Sequence, residues 1–347
     1  MIKCGWSRLL IGAGMIGMLI VSSPKSSPAQ ENDPPLVIMA GVPKYLGETR
    51  DYDLIFSTLA EAGVTAFLPT SQYQKLPEPL ALDIDADFFP PCDFDGAPFA
   101  AMRKHGVKLL AAADVLYPPG QFPPLDDDPL LKLIECAGDG QVWGVLSYDE
   151  PAWSGRNLDD VRVLYERVKQ VAPDLPVLMA HAPRLIDGEP PAQAEIDDYF
   201  NHVAEYSVYA DMVGFDLYPI PPEIAAILAP GYGQKSVPYA AAFPAYLNWL
   251  SDTTGKPVFM ALQGFSYRHL VDDATAQQAE AAGFVLRPPS SEELRTMACL
   301  TVNAGGGIAW WGQSHLTAAD TEFWTALLDV THQVITDPAG YCAGVGE

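Results

Sequence analysis

The stretch VWGVLSYDEPAWSGRNLDDVRVLYERVKQVAPDLPVLMAH (residues 142–181) carries the reading of the fold. It opens on an apolar, strand-like run that ends in Tyr148, Asp149, Glu150 and Pro151. Asn157 then supplies a helix N-cap ahead of LDDVRVLYERVKQV, and LPVLMAH is strand-like again. A strand, a helix and a second strand in succession imply a parallel pair covered by the helix.

The same unit repeats along the chain. PLVIMAGVP, VTAFLPTS, VKLLAAAD, QVWGVLSYDEP, LPVLMAHAP, DMVGFDLYP, KPVFMALQGF and GGIAWWGQS are the strand-like runs, each followed by a helical stretch. The runs are nearly continuously apolar, as expected of strands covered on both faces. Eight such units predict an α/β fold, a (β/α)8 TIM barrel, rather than an open doubly wound sheet. No GxGxxG or GxxxxGK[ST] follows an early strand, so nothing supports a nucleotide-binding version of the open sheet. Long Pro-rich connections such as LYPPGQFPPLDDDP and IPPEIAAILAPGYGQKSVP follow several strands. In a barrel they gather over the C-terminal ends of the strands, where active sites form.

Residues 1–29 read as a secretory signal peptide: a basic start at Lys3 and Arg8, a short apolar core, then Ser27-Pro28-Ala29. An uncleaved anchor is the alternative. Residues 30–347 then form a single barrel domain, secreted or periplasmic, with no stable membrane anchor after cleavage. That segment holds 17 basic and 44 acidic residues, a net −27. Such charge disfavours nucleic acid, anionic lipid and polyanionic substrates. None of Cys92, Cys136, Cys299 and Cys342 has metal-ligand spacing. Cys136 and Cys299 fall in helical patterns and are expected as buried thiols, and Cys92 with Cys342 is a candidate bridge.

The strand ends carry the polar chemistry. They offer Lys44 and Tyr45 after strand one, Asp114 after strand three, and Tyr148, Asp149, Glu150 and Trp153 after strand four. His181 and Arg184 end strand five, Asp216 and Tyr218 strand six, Gln263 strand seven, and Trp310, Trp311 and Gln313 strand eight. Aromatic platforms with carboxylates and amides suit a sugar, and glycosidic cleavage needs one carboxylic acid and one carboxylate. In the order of its segments, over roughly residues 35–335, the chain resembles the glycoside hydrolase superfamily of (β/α)8 barrels. YDEP at the end of strand four is similar to the Asn-Glu-Pro motif of the large retaining clan, and GIAWW to its strand-eight tryptophan. DEP, DLYP, LQGF and RPPSSEELR with GGGIAWWG together resemble uncharacterised secreted bacterial hydrolase-like barrels.

The resemblance implies hydrolysis of O-glycosidic bonds in a neutral poly- or oligosaccharide, with Glu150 as general acid/base and no cofactor or metal. Asp149 replaces the usual Asn. Strand seven offers Gln263 where that clan places its nucleophilic Glu, so the second carboxylate is sought in Asp149, Asp216 or Asp114. Lys44, Tyr45, Asp114, Tyr148, Trp153, His181, Tyr218, Gln263, Trp310, Trp311 and Gln313 are the expected substrate contacts. Trp310 and Trp311 alternate faces, so one of them points into the barrel. A non-catalytic carbohydrate-binding barrel is the competing reading. A metal-dependent hydrolase ranks below it, because strand one carries no HxH.

Overall fold

The computed structural model describes residues 35–69, 88, 96–118, 121–186, 189–223 and 226–346. The expected signal peptide, Cys92 and the end of strand two beyond Pro69 lie outside the described residues. Eight parallel strands close into a barrel: β1 (Val37–Ala40), β2 (Ala66–Leu68), β3 (Lys108–Ala112), β4 (Val142–Leu146), β5 (Val177–His181), β6 (Met212–Leu217), β7 (Val258–Gln263) and β8 (Gly307–Trp311). Each strand pairs with its neighbours in sequence, and β1 closes on β8 with Val37 opposite Ile308. The (β/α)8 expectation is therefore met.

Eight main helices cover the strands: α1 (Tyr52–Glu61), α2 (Ala97–His105), α3 (Pro129–Ala137), α4 (Leu158–Val171), α5 (Gln193–Ser207), α6 (Tyr239–Thr254), α7 (Ser291–Asn303) and α8 (Thr321–Thr336). Side-chain caps fix several starts. Asn157 accepts the Asp159 N–H at the head of α4, and Asp128 accepts from Leu130 and Leu131 at the head of α3. Asp128 is buried and also receives the Tyr117 hydroxyl at 2.7 Å.

The two-residue period of each strand sorts its side chains. On β5, Val177 and Met179 join the helix-facing core, whereas Leu178 and Ala180 face the barrel interior. On β6, Val213, Phe215 and Leu217 face the helices, which turns Gly214 and Asp216 inward. The interior is lined by small side chains, among them Ala40, Ala112, Ala180, Ala261 and Ala309, with Phe259 filling the middle. Gly214 makes room for that ring: a Cβ there would meet the Phe259 carbonyl oxygen at 2.5 Å and its ring at 2.8 Å.

Above the barrel, Arg184–Ile186, Ala226–Leu228 and Ser236–Val237 form a small antiparallel sheet built from the connections after β5 and β6. The cysteines depart from expectation. Cys342 bonds to Cys299 rather than to Cys92, and Cys136 is disulfide-bonded rather than a free thiol. The C-terminal turn folds back on α7, where Arg295 donates to the Tyr341 carbonyl, and this brings Cys342 to Cys299. The bridge closes a 43-residue separation, worth up to about 4 kcal/mol in a chain-entropy account.

Gly214→Ala will force a methyl into the Phe259 backbone and ring. Chemical unfolding should show a loss of about 1–3 kcal/mol or more. An unchanged midpoint would contradict the tight fit described.

Candidate active site

The chain leaves β4 without leaving the sheet at once: the Ser147 N–H still donates to the Leu178 carbonyl at 2.7 Å. Tyr148 then turns into the helix-facing core. It is fully buried, its hydroxyl donates to the Tyr117 carbonyl at 3.3 Å, and Arg156 lies over its ring at 4.3 Å. It packs the wall and is closed off from any ligand. Glu150 has φ +40°, a left-handed conformation that costs a side-chain-bearing residue of order 1 kcal/mol. A tight turn holds it there, with the Trp153 and Ser154 N–H groups donating to the Glu150 carbonyl at 3.0 and 2.9 Å.

This turn delivers the Glu150 carboxyl to Asp216, on the inward face of β6. The two carboxyls are in hydrogen-bonding reach. Asp216 is only 9% exposed, and among the described residues no donor hydrogen-bonds its Oδ1. Both facts have one reading. Two ionised carboxylates are acceptors only, so the contact becomes a hydrogen bond when the pair holds one proton. Burial first, then the Glu150 charge, raises the Asp216 carboxyl well above its ordinary range.

Two further carboxylates flank the pair. Asp149 is raised to about 7, by the protein crowded around it first and then by the charges of Glu150 and Asp114. Its side chain still meets water. That contact screens the neighbouring charges and moderates the shift. Asp114 follows β3 on a short helix, Ala113–Leu116, and pairs with Arg156 at 3.4 Å. Burial raises Asp114, and Arg156 opposes the rise.

Glu150 and Asp216 line a cavity of about 220 Å³ walled by Trp153, Leu185, Tyr218 and Tyr267. Tyr218 stacks on Trp311, with centroids 5.4 Å apart and planes 22° from parallel, and meets Phe265 edge-on. The Tyr267 hydroxyl donates to the Tyr218 carbonyl at 2.8 Å. Trp153 is 54% exposed at the rim. Arg184 stands over Trp153 and Tyr199 at 6.0 and 5.8 Å. A larger depression of about 740 Å³ lies outside the barrel, between residues 230–232 and α6, and none of the candidate residues reaches it.

Thus Glu150, Asp216, Trp153 and Tyr218 line the cavity, Trp311 backs Tyr218, and Asp149 and Asp114 bear on it through their charge. The others do not. His181 faces α5, fully buried, with its Nε2 3.0 Å from the Ser207 hydroxyl; burial lowers it to about 3, and it stays neutral. Trp310 is buried among the helix-facing residues, so Trp311 is the inward member of that couple. Gln263 is buried, accepts the Ile220 N–H at 2.8 Å and donates to the Ile220 and Phe265 carbonyls. Its amide clamps the turn after β6. Gln313 is equally buried, and its amide nitrogen, oriented to satisfy both ends, donates to Ala40 O at 2.8 Å. Lys44 and Tyr45 sit on the short helix after β1, Lys44 3.9 Å from Glu48 and Tyr45 half-buried against the core.

Tyr267, Tyr199 and Arg156 were not expected at the site. They come from a loop, from α5 and from the turn into α4, where strand-end reading cannot find them.

No protein-family model matches the sequence, and no curated protein matches it. Solved structures do resemble it. An α-L-fucosidase candidate from Bacteroides thetaiotaomicron is 14% identical, with a TM-score of 0.51 over 93% of this chain and 99% of that one. A chitinase from Chromobacterium violaceum is 12% identical, with a TM-score of 0.47 over 85% and 98%. A β-methylaspartase from Clostridium tetanomorphum reaches 0.47 at 8% identity, over 88% and 60%. Glycoside hydrolases predominate among the matches, but at these identities the likeness is one of fold.

The raised Asp216 carboxyl has a consequence for stability. Folded Asp216 keeps its proton where the unfolded chain has lost it, so stability falls as pH rises above the ordinary carboxylate range. Asp216→Asn removes that loss. Denaturation at pH 8 should find it more stable than wild type by about 1 kcal/mol or more. The gain should vanish near pH 3.5, and a gain equal at both pH values would rule out this origin.

Proposed function

We propose that this protein is a glycoside hydrolase that cleaves O-glycosidic bonds with the Glu150–Asp216 pair. One observation carries the reading: two carboxyls from β4 and β6 meet inside one aromatic-walled cavity at the C-terminal end of the barrel. A pair that holds one proton supplies both species the reaction needs, an acid and a carboxylate. Glu150, the less buried member, acts as general acid toward the departing oxygen. Asp216, deeper in the barrel, holds the proton in the free site, passes it by way of Glu150 to the departing oxygen, and is then the carboxylate on the sugar side. Exposed Trp153 and stacked Tyr218 and Trp311 offer faces to the sugar ring.

The acidic balance and the acidic cleft both disfavour anionic saccharides. Export of the chain is part of the proposal. The Cys299–Cys342 bridge and the disulfide at Cys136 support it, since such bonds persist in oxidising compartments. The second reading, a barrel that binds saccharide without cleaving it, draws on Gln263, an amide committed to the backbone where the retaining clan has a carboxylate.

A panel of aryl glycosides and oligosaccharides separates the two. Wild type should turn over at least one member, and Glu150→Gln should lower kcat by about 10²-fold or more. Aryl substrates with good leaving groups should recover part of the loss. Equal turnover by both proteins would remove Glu150 from the acid role. Binding by wild type with no turnover would establish the second reading instead.

A further inference from the structure

Trp153 is the most open wall of the cavity, 54% exposed at its rim, yet it is held from several sides. Its N–H donates to the Glu150 carbonyl at 3.0 Å, so the indole and the proposed acid belong to one turn. Tyr199 meets the indole edge-on, with centroids 6.5 Å apart and planes at 85°. The Arg184 guanidinium lies over both rings. These supports are themselves anchored. The Tyr199 hydroxyl donates to the Ala182 carbonyl, the Arg184 N–H donates to the Tyr246 hydroxyl at 2.8 Å, and Arg184 pairs with Leu228 in the small sheet.

The guanidinium of Arg184 is unspent. Arg156, Arg162, Arg268 and Arg287 each pair with a carboxylate. Arg184 has no ion pair among the described residues, and its Nε is buried with no acceptor upon it. A guanidinium carries five N–H donors in a planar fork. Stacking on aromatic rings occupies its faces and leaves its N–H edge for an acceptor. A donor edge left open beside an open indole is the pairing a sugar ring fits: its C–H face lies on the indole, and its hydroxyl oxygens accept from the arginine.

The size of the cavity says which ring that is. Its volume of about 220 Å³ lies below the roughly 300–1,000 Å³ of pockets that enclose a drug-sized ligand. It has room for about one sugar ring, and a second must lie over the rim. Arg184 is not in the cavity wall, but its chain neighbours Pro183 and Leu185 are, so it stands where the second ring emerges. The departing ring is the one whose oxygen takes the acid's proton, and Trp153 shares the turn of Glu150.

We infer that Trp153 and Arg184 form a binding subsite for the departing sugar ring, which makes the substrate an oligo- or polysaccharide rather than a glycoside of a small aglycone. The inference rests on the hydrolase reading for which ring departs, but not for the binding of two rings. Tyr199 is a positioning residue that holds the indole at the rim.

Thio-linked disaccharides resist hydrolysis, so calorimetric titration with them reads binding apart from catalysis. Those of glucose, mannose and N-acetylglucosamine would each be compared with the methyl glycoside of the same sugar. At least one disaccharide should bind wild type about tenfold or more tightly than its methyl glycoside. Arg184→Met, which keeps an apolar stem on the indole, should erase most of that advantage and leave methyl glycoside affinity within about twofold. Arg184→Lys should recover part of it. Parity across all three pairs, an advantage that survives Arg184→Met, or an equal loss for both ligands would overturn the inference. The two proposals fail separately. A disaccharide advantage that depends on Arg184, with no turnover of any glycoside, leaves the subsite standing and removes the hydrolase. Turnover of aryl glycosides with parity in binding does the reverse.

Discussion

Two carboxyls within hydrogen-bonding reach inside a protein do not both ionise at neutral pH, because the second charge must be placed beside the first in a medium that screens it poorly. That constraint governs the mouth of this barrel. β4 and β6 flank β5, so two strand spacings of about 4.8 Å separate the chains that carry Glu150 and Asp216. The longer Glu side chain spans the gap, aimed by a backbone in the left-handed region and by the turn over Pro151. Asp216 is fixed from the other side. Gly214 and Asp216 face inward on one strand, and Gln263 grips the turn that follows it. The proton that Asp216 keeps is thus a property of the fold and not of that residue alone.

Most of the architecture was legible in the sequence, because closed parallel barrels write themselves as apolar runs alternating with helical spacing. Asn157 and Asp128 announced their helices by cap chemistry that acts within a few residues. The strand ends were harder. Period two says that neighbours on a strand face opposite ways, but not which one faces inward, and that choice separated Trp311 from Trp310. It also sent His181 to the helix layer, where it is neutral and bonded to Ser207. The Cys299–Cys342 bridge was missed because it depends on how the C-terminal turn returns to α7. Tyr267 and Arg156 reach the site through loop geometry, for which composition carries no signal.

Gln263 shows why position on a fold does not assign a role. It occupies a strand end where a carboxylate would be expected by resemblance, yet its oxygen and nitrogen are both used to hold backbone. In the proposed mechanism the second carboxylate is Asp216, one strand across. Its burial lowers stability at neutral pH, which marks a group kept for what it does rather than for what it holds together.

The proton kept by buried Asp216 is the central claim, and carbon-13 NMR titration of the Asp216 carboxyl reads it directly. The account predicts a step at the Asp216 carbon well above the ordinary carboxylate range, absent in Asp216→Asn. A step near pH 4 at that carbon would contradict it.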